Sequence, residues 1–411
     1  MSFCPQNAKH TKSKARTSRL LKSNLTLTHK RNFMSVKING KYSSATVFTT
    51  DNPQTALDKY ARVQLENLCN NEVSSESTIR VMPDVHPGKV CTIGLSMTLG
   101  KTVMPQLLGL DIGCGVTVAK IAGVRKEWQR LDSVIRGSIP SGFERRKKAH
   151  RFAASIDLKK LDCYSHLQKD AVLLSLGTLG GGNHFIEVDT DSEGGFYLMV
   201  HSGSRSLGAE LSTWYQNEGH RQLLQTGREV PYELTYLEGS LMQSYLEDLK
   251  IAQDFAVQNR MAIISDICKG MKWKTEDIFE SVHNYVDFSQ SIPILRKGAI
   301  SAKKDERVVI PANMKEGAIL GLGKGNAEWN FSAPHGSGRI FKRDDVKKNF
   351  TVSAFKKEMK GIYSSCIEKG TLDEAPFAYR PIQEIEHALE PSVQIEKIIR
   401  PVYNFKAGEK G

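Results

Sequence analysis

The stretch LGTLGGGNHFIEV, residues 176–188, joins a glycine-rich loop to an apolar run and has a histidine at the junction. Glycines in such a loop let the backbone approach a ligand closely, and successive backbone amides can cradle a phosphate. The apolar residues around and after His184 predict a strand over 184–188. The stretch therefore predicts a strand that begins beside an anion-binding loop.

Short elements of both kinds surround this stretch. Apolar runs broken by glycine and proline predict strands near 78–83, 90–98, 104–119, 196–201 and 392–404. Apolar residues at helical spacing predict helices near 54–69, 206–224, 238–264, 341–361 and 381–389, and segment 125–180 is predicted to be mostly helical. Glycine-rich motifs extend from residue 84 to residue 338 without a fixed repeat or a long linker. We therefore expect one compact mixed α/β domain over residues 34–411.

The composition favours an anionic partner. The 411 residues carry a formal net charge of +12, which favours nucleic acid before nucleotides or an acidic membrane surface. No apolar run of about 18 residues occurs, so no membrane span is expected. The seven cysteines are scattered without CxxC spacing, so neither a disulfide framework nor a zinc knuckle is expected. A reducing compartment, the cytoplasm, fits this cysteine usage.

Residues 1–33 form a basic N-terminal extension that we expect to be disordered. The first 50 residues contain ten Lys or Arg and no Asp or Glu. The extension lacks the apolar stretch of a secretory signal. Three interpretations stay open: a basic arm that contacts RNA, an over-long start with Met34 as the true initiator, or, less favoured, an organelle transit segment.

Histidines with small neighbours indicate a site. Five of the eleven histidines lie within two positions of Gly, Asn, Ser or Asp in turn-like contexts, namely His86, His184, His201, His283 and His335. Small neighbours hold a side chain on a rigid turn and let a ligand approach. One such histidine is more often a satisfied turn or core residue, whereas five together favour a shared function.

Asp111 and Cys114 are a second candidate pair. They are three positions apart on a turn that contains glycine, and this spacing allows both side chains to face one point. A carboxylate, a thiolate and several imidazoles suit a borderline divalent ion such as Mn, Fe, Co or Zn. Two metals bridged by Cys114 would need about five or six ligands, a number that Asp111, Cys114, His184, His201 and His283 supply. Taken alone, Cys114 can equally be a plain buried thiol.

The nucleophile of a nucleotidyl transfer would be a histidine in this chain. No Asp-Gly dipeptide occurs, so the Lys-x-Asp-Gly motif of ordinary nucleotidyl-transferring ligases is missing. Imidazole is a competent nucleophile at neutral pH. His335 is the best candidate, because the glycines of HGSG (335–338) leave room for a bulky adduct. Arg205 and Arg339, within the tight motifs HSGSR and HGSGR, are the preferred phosphate-binding cations.

Eight motifs in this order resemble the RtcB family of RNA ligases: MPDVHPGK, LLGLDIGCG, LGTLGGGNHFIEV, HSGSR, HNYV, RKGA, HGSGR and DEAPFAY. The resemblance covers roughly residues 80–406. It implies a single compact RtcB-type α/β domain. It further implies GTP- and Mn²⁺-dependent joining of RNA 2′,3′-cyclic phosphate or 3′-phosphate ends to 5′-hydroxyl ends, in RNA repair or tRNA splicing.

The resemblance also implies roles for individual residues. Metal ligands are implied at Asp111, Cys114, His184, His201 and His283, with two Mn²⁺ ions, and a guanylylated histidine at His335. Contacts to the guanine nucleotide are implied for Asn183, His184, Glu187, His283, Asn284, Pro311, Asn313, Met314, His335, Gly336, Ser337, Gly338 and Lys406. An activating protein partner is left open.

The loop Pro311-Ala312-Asn313-Met314 departs from the family's Pro-Gly-Ser-Met, and Glu316 brings a negative charge toward the phosphate site. These changes put in question how the nucleotide is held more than the chemistry. Two other functions remain as alternatives. A metal-dependent RNA phosphoesterase that opens cyclic phosphates would have no use for His335, and a non-catalytic RNA-binding protein would have no use for the metal ligands.

Overall fold

The computed structural model describes residues 34–49 and 57–407; the predicted extension at 1–33 lies outside the described residues. The strands are β1 (Met34–Asn39), β2 (Ser44–Thr49), β3 (Ile79–His86), β4 (Ile93–Thr98), β5 (Thr102–Val103), β6 (Cys114–Ala122), β7 (Phe185–Thr190), β8 (Phe196–Ser202), β9 (Leu237–Glu238), β10 (Lys274–Asp287), β11 (Ile294–Lys297), β12 (Ala299–Ser301), β13 (Arg307–Asn313), β14 (Gly317–Gly323), β15 (Ser332–Pro334) and β16 (Val393–Lys406). The helices are α1 (Lys59–Cys69), α2 (Pro105–Leu108), α3 (Trp128–Ser138), α4 (Lys169–Ser175), α5 (Arg205–Gln225), α6 (Gly239–Met271), α7 (Arg343–Asn349), α8 (Val352–Glu358) and α9 (Ile382–Leu389).

A large mixed sheet organises these elements. Among the described residues it has 12 strands in the order β1-β2-β3-β4-β11-β10-β6-β8-β7-β16-β14-β13. All neighbouring strands are antiparallel except β2 and β3, which are parallel. The predicted mixed α/β class is therefore confirmed. Sequence-distant strands β10, β6, β8 and β7 are adjacent, and this adjacency positions the site.

Apolar side chains cover both faces of these central strands. Along β7, Ile186 and Val188 join one buried cluster, whereas Phe185 joins another on the opposite face, as the two-residue period of a strand requires. Helix α6 is 33 residues long and buries Phe255 and Ile263. No helix in the described part of the chain is long and apolar enough to cross a membrane.

Several predicted elements differ in extent. The helix predicted over 54–69 begins at Lys59, because the Asp58 side chain accepts hydrogen bonds from the first backbone amides; residues 54–56 lie outside the described ranges. The helix predicted over 341–361 is two helices, since Thr351 caps the N-terminus of α8. The predicted strand 104–119 starts with helix α2, and segment 125–180 contains α3, α4 and 3₁₀ turns rather than continuous helix.

Candidate metal centre and the adjoining cavity

The ends of four adjacent strands bring the predicted ligands together. Cys114 begins β6, His201 is the second-last residue of β8, and His184 immediately precedes β7. His283 is the extra residue of a β-bulge in β10, where the pairing with β6 shifts between Val282 and Asn284. Because a bulge turns a side chain away from the regular alternation, this irregularity aims His283 at the same point.

The atoms of these residues that could bind a metal lie within contact distance of one another. Cys114 Sγ is 3.2 Å from His201 Nε2 and 3.4 Å from His184 Nε2. His184 Nε2 is 3.0 Å from Asp111 Oδ2, and His201 Nε2 is 3.3 Å from His283 Nε2. Two ligand groups result, Asp111–Cys114–His184 and Cys114–His201–His283, with donor atoms within 4.8 Å of one another. We call these five residues the His/Cys cluster; Cys114 belongs to both groups.

The histidine tautomers fit a bound cation. His184 donates its Nδ1–H to the carbonyl of Leu179 at 2.8 Å, and His201 donates its Nδ1–H to the carbonyl of Asn183 at 3.2 Å. The Nε2 lone pairs therefore point into the cluster. Burial holds the pKa of His201 and of His283 well below the usual value, which keeps both rings neutral. The lone pairs of His201 and His283 face each other, and a borderline divalent metal bound among the Nε2 atoms and the Cys114 sulfur would remove their repulsion.

Two buried polar residues of α6 hold the loops that carry the cluster. The Asn259 side-chain oxygen accepts from the amides of Gly177 and Thr178, at 2.7 and 3.1 Å. Arg260 donates to the carbonyls of Gly113 and Ser202 at 2.8 and 2.9 Å. Sequence reasoning missed both residues, because nothing in an apolar helical pattern indicates which loops its polar side chains reach.

Asp111 needs a glycine beside it. A Cβ atom on Gly203 would lie 2.1 Å from Asp111 Oδ1, so any side chain at position 203 would displace the carboxylate. Burial by itself raises the pKa of Asp111, but the neighbouring His184 outweighs it, and the pKa lies below its usual value. The carboxylate is therefore held ionised and in place.

His335 stands beside the cluster at the wall of a cavity of about 150 Å³. Its ring centroid lies 5.0 Å from that of His283. Its Nδ1 is 2.7 Å from Asp84 Oδ2, and its backbone N–H donates to the same oxygen at 3.1 Å. Since Asp84 accepts the Nδ1 proton, Nε2 of His335 carries the lone pair, and no hydrogen bond to Nε2 is found within residues 34–49 and 57–407. The motif MPDVHPGK contains Asp84 but does not indicate its partnership with a residue 251 positions away.

Most residues predicted to contact the nucleotide line this cavity. They are Asn183, Glu187, His283, Pro311, Asn313, Met314, His335, Gly336, Ser337, Gly338 and Lys406, and Arg339 lies with them. His184 is not part of this wall and belongs to the His/Cys cluster. Asn284 also lies off the wall, where its side-chain amide donates to the carbonyl of Asp111.

A buried carboxylate that sequence reasoning missed organises one part of the cavity. Glu374 accepts from Lys406 Nζ at 2.5 Å, from Arg343 at 2.6 Å, from Tyr379 at 2.6 Å and from Arg339 at 3.3 Å. Burial raises the pKa of Glu374, but the cations outweigh it and bring the pKa to about 2. The motif DEAPFAY contains both Glu374 and Tyr379, and was the only signal for them.

Glu187 forms a second buried acidic position on the wall. The side-chain amide of Asn404 donates to its carboxylate. Burial raises the pKa of Glu187 to about 7. Asp189, two residues further along β7, is also fully buried, and burial together with Glu187 raises its pKa well above the usual value. The two carboxyls therefore favour holding a proton.

The departures in the loop 311–316 do not direct a bare charge at the cavity. Glu316 accepts from the Asn313 side chain at 2.7 Å and from the backbone N–H of Ile382 at 3.2 Å. Ser337 donates its hydroxyl to the carbonyl of Ala312 at 2.7 Å. The carboxylate of Glu316 is thus hydrogen-bonded by the side-chain amide of Asn313, the residue that stands where the family has serine.

Known proteins match this chain over most of its length. The family model described as "tRNA-splicing ligase RtcB" matches residues 64–161 and 153–407. The RNA-splicing ligase RtcB of Escherichia coli strain K12 is 31% identical over 367 residues, which cover 80% of this chain and 90% of that protein. The tRNA-splicing ligase RtcB of Nanoarchaeum equitans is 27% identical over 420 residues, covering 79% of this chain and 87% of that protein.

Fold, site and matches together define an enzyme of the ligase class. The chain belongs to the RtcB family.

Proposed function

We propose that this ligase joins RNA 2′,3′-cyclic phosphate or 3′-phosphate ends to RNA 5′-hydroxyl ends, using GTP and Mn²⁺, in RNA repair or tRNA splicing. The observation that carries the proposal is the environment of His335. Its Nδ1 is hydrogen-bonded to Asp84, and no described residue is hydrogen-bonded to its Nε2. The ring lies at the wall of a cavity that adjoins the His/Cys cluster. The RNA- and tRNA-splicing names of the relatives support the substrate class.

A 2′,3′-cyclic phosphate end would first be hydrolysed by water to a 3′-phosphate and a free 2′-hydroxyl, and three transfers at phosphorus then follow. His335 Nε2 attacks the α-phosphate of GTP, forming a P–N bond and releasing pyrophosphate. The RNA 3′-phosphate then displaces the histidine, so that the guanylyl group is carried on the RNA end. Finally the 5′-hydroxyl attacks the 3′-phosphate, forms the phosphodiester and releases GMP. Asp84 keeps His335 in the tautomer that presents Nε2 and stabilises the imidazolium when the ring is protonated.

The His/Cys cluster would hold two Mn²⁺ ions that share Cys114. Such ions neutralise phosphate charge and polarise the phosphorus–oxygen bonds. The base would be read by Glu187, which offers acceptor oxygens, and by Lys406, whose ammonium lies on the same wall. Arg339 is the cation of that wall proposed to meet phosphate.

The alternative is a metal-dependent cyclic phosphodiesterase that does not ligate. It would use the His/Cys cluster but would need no histidine oriented by a buried carboxylate, so the Asp84–His335 pair favours the ligase. We further propose that residues 34–411 act as one RtcB-type domain, that residues 1–33 are an extension to it, and that the protein works in the cytoplasm. The described cysteines are all free thiols, which accords with a reducing compartment.

The test is covalent labelling with α-labelled GTP in the presence of Mn²⁺. We expect an acid-labile, base-stable adduct in the parent protein and none in His335→Ala. His220→Ala, a histidine substitution on α5, is the matched control and should label normally. An adduct that survives in His335→Ala would overturn the nucleophile assignment. A parent protein that takes up no label, but opens a cyclic phosphate, would favour the phosphodiesterase.

A further inference from the structure

A second, larger space, which we call the groove, adjoins the cavity of His335 across the glycine-rich loop 177–182. It has a volume of about 1050 Å³ and is lined in part by Gly181, Gly182 and Arg205. The next residue, Asn183, lines the cavity that contains His335, and Lys406 lines both spaces. The cavity reaches the His/Cys cluster at His201 and His283, whereas the groove comes nearest to the cluster at Arg205.

An aromatic side chain stands in the wall of this groove with almost no cover. Phe143 is 97% exposed and lines the groove, and no ring contact to it is found within the described ranges. Its turn is held firmly: Gly142 donates to the carbonyl of Gly180 at 2.9 Å, and Ser141 bridges to the same glycine. Phe143 is the most exposed large apolar side chain among the described residues, and its position in the groove wall leaves the ring face available to a ligand.

The groove is lined by charged residues of both signs, and Arg205 is its cation nearest the His/Cys cluster. Arg205 packs so closely that a Cβ on Gly180 would lie 2.1 Å from its Nη1, and its charge acts on Asp111. Arg136 also lines the groove, but it is ion-paired with Asp132 at 2.9 Å, and the acids Glu144 and Glu368 line the groove as well. Arg205 thus lies between the groove and the His/Cys cluster and can receive a phosphate arriving from the groove.

Four consecutive basic residues, 145–148, follow Glu144 and form the basic run. One of them is held in structural contacts and three are not. Arg146 donates to Asp266 at 2.5 Å and to the carbonyl of Gly177 at 3.0 Å, which anchors the segment. Arg145, Lys147 and Lys148 are exposed and form no ion pair with any described residue. Three cations without an ion pair among the described residues therefore lie two to five positions after Phe143, behind Glu144 and beside the groove lining.

We propose that this Phe143 groove binds a single-stranded RNA end, with one base stacked on Phe143 and the phosphates led past Arg205 to the His/Cys cluster. An exposed aromatic ring with unpaired cations beside it, here among the described residues Arg205 and the exposed basic residues after Glu144, is the arrangement that proteins use for single strands, because every base has a face that can stack. A duplex keeps its bases stacked inside and would leave the ring unused. The inference rests on the proposed function, since RNA is the substrate that the groove would receive.

The test measures binding of a single-stranded oligoribonucleotide with a 3′-phosphate by fluorescence anisotropy, without GTP. Phe143→Ala should bind roughly 5- to 150-fold more weakly than the parent, the range expected for one base stack. Phe143→Trp should restore the affinity. Ile292→Ala, which removes another exposed apolar side chain, is the matched control and should bind as the parent does. A 5-iodouridine-substituted RNA should photocrosslink to Phe143, as located by peptide mass spectrometry.

The outcomes separate the groove from the ligase chemistry. Phe143→Ala should still take up label from GTP at His335, because the groove is not needed for that transfer. If Phe143→Ala binds RNA like the parent and the crosslinks lie elsewhere, the groove proposal is overturned even when labelling succeeds. If the parent takes up no label but its RNA affinity depends on Phe143, the groove stands and the ligase mechanism fails.

The free charges of the basic run give a second test. Replacing Arg145, Lys147 and Lys148 together with alanine should flatten the dependence of RNA affinity on salt by up to about 0.7 for each RNA phosphate that these cations neutralise. The same substitutions should leave the thermal midpoint unchanged, since these side chains make no ion pair with the described residues. An unchanged salt slope would contradict the proposed path of the strand.

Discussion

Two buried clusters of this protein each contain a cysteine and an aspartate, and only one of them fits a metal. In the first, Cys163 lies with Asp248 and Tyr215 on the packed side of α6. The carboxylate of Asp248 accepts from the hydroxyl of Tyr215 at 2.8 Å and from the backbone amides of residues 162 and 163 at 2.9 and 3.2 Å. Every acceptor there has a donor, so the cluster is complete without an ion.

The His/Cys cluster has the opposite balance. The proton-bearing nitrogens of His184 and His201 are directed to backbone carbonyls, and their lone pairs converge on Cys114. Acceptors facing acceptors are what a cation requires, whereas acceptors facing donors are what a structural cluster requires. Residue type therefore does not identify a metal site; the matching of donors to acceptors does.

The largest effect is expected from removing the shared sulfur. Cys114→Ala should lose bound metal and lower the rate of guanylylation by roughly 100-fold or more, because both ligand groups contain Cys114. Cys163→Ala should keep its metal and its labelling. Metal analysis by plasma mass spectrometry together with the labelling assay checks both. Equal metal content in the two variants would abolish the distinction between the clusters.

A smaller effect should follow from a change beside the cluster. Asp84→Asn can donate to His335 Nδ1 and so favour the tautomer that withdraws the lone pair from Nε2. The rate of guanylylation should fall by roughly 10- to 100-fold at unchanged metal content. Single-turnover labelling measures the rate. Loss of metal in this variant would show that Asp84 belongs to the metal site instead.

Disrupting the cluster of Cys163, Asp248 and Tyr215 should lower the free energy of unfolding without changing metal binding or catalysis. Asp248→Ala leaves two buried backbone amides and the hydroxyl of Tyr215 without their acceptor, a loss of about 1–3 kcal/mol in the free energy of unfolding. Urea denaturation measures it. Metal content per folded molecule should equal that of the parent, and a selective loss of metal would contradict the assignment.

The smallest effect concerns the buried acids next to the cavity. Because burial raises the pKa of Glu187 to about 7, the folded protein binds a proton that the unfolded chain releases at lower pH. Stability should therefore fall as the pH rises from about 5 through 7, by a few degrees in thermal midpoint. Asp189→Asn, which removes the neighbouring acid, should flatten this decline. A midpoint that rises across the same range would have the wrong sign.

The sequence indicated which residues meet in the His/Cys cluster, because glycine, asparagine or serine lies within two positions of each of them. It did not indicate their partners. Asp84 and Glu374 act on residues far along the chain, and only the folded sheet brings them to His335 and Lys406. Fold class followed from the alternation of elements, since the periods of strand and helix depend on local residues alone.

Strand β10 shows where local reasoning stopped. Its first four residues, 274–277, are exposed and polar, and three of them are charged, so the apolar alternation that marks a strand is weak there. The bulge that aims His283 depends on how β10 is registered against β6, a long-range property without a local signal. The split between α7 and α8 likewise depended on a single capping side chain, Thr351.

Cobalt substitution tests the central claim most directly. Loaded with Co²⁺, the parent protein and Cys163→Ala should both show the near-ultraviolet absorption of thiolate-to-cobalt charge transfer, and Cys114→Ala should lack it. The same absorption in Cys114→Ala, or its absence from the parent at full occupancy, would contradict the account of a metal centre built around Cys114.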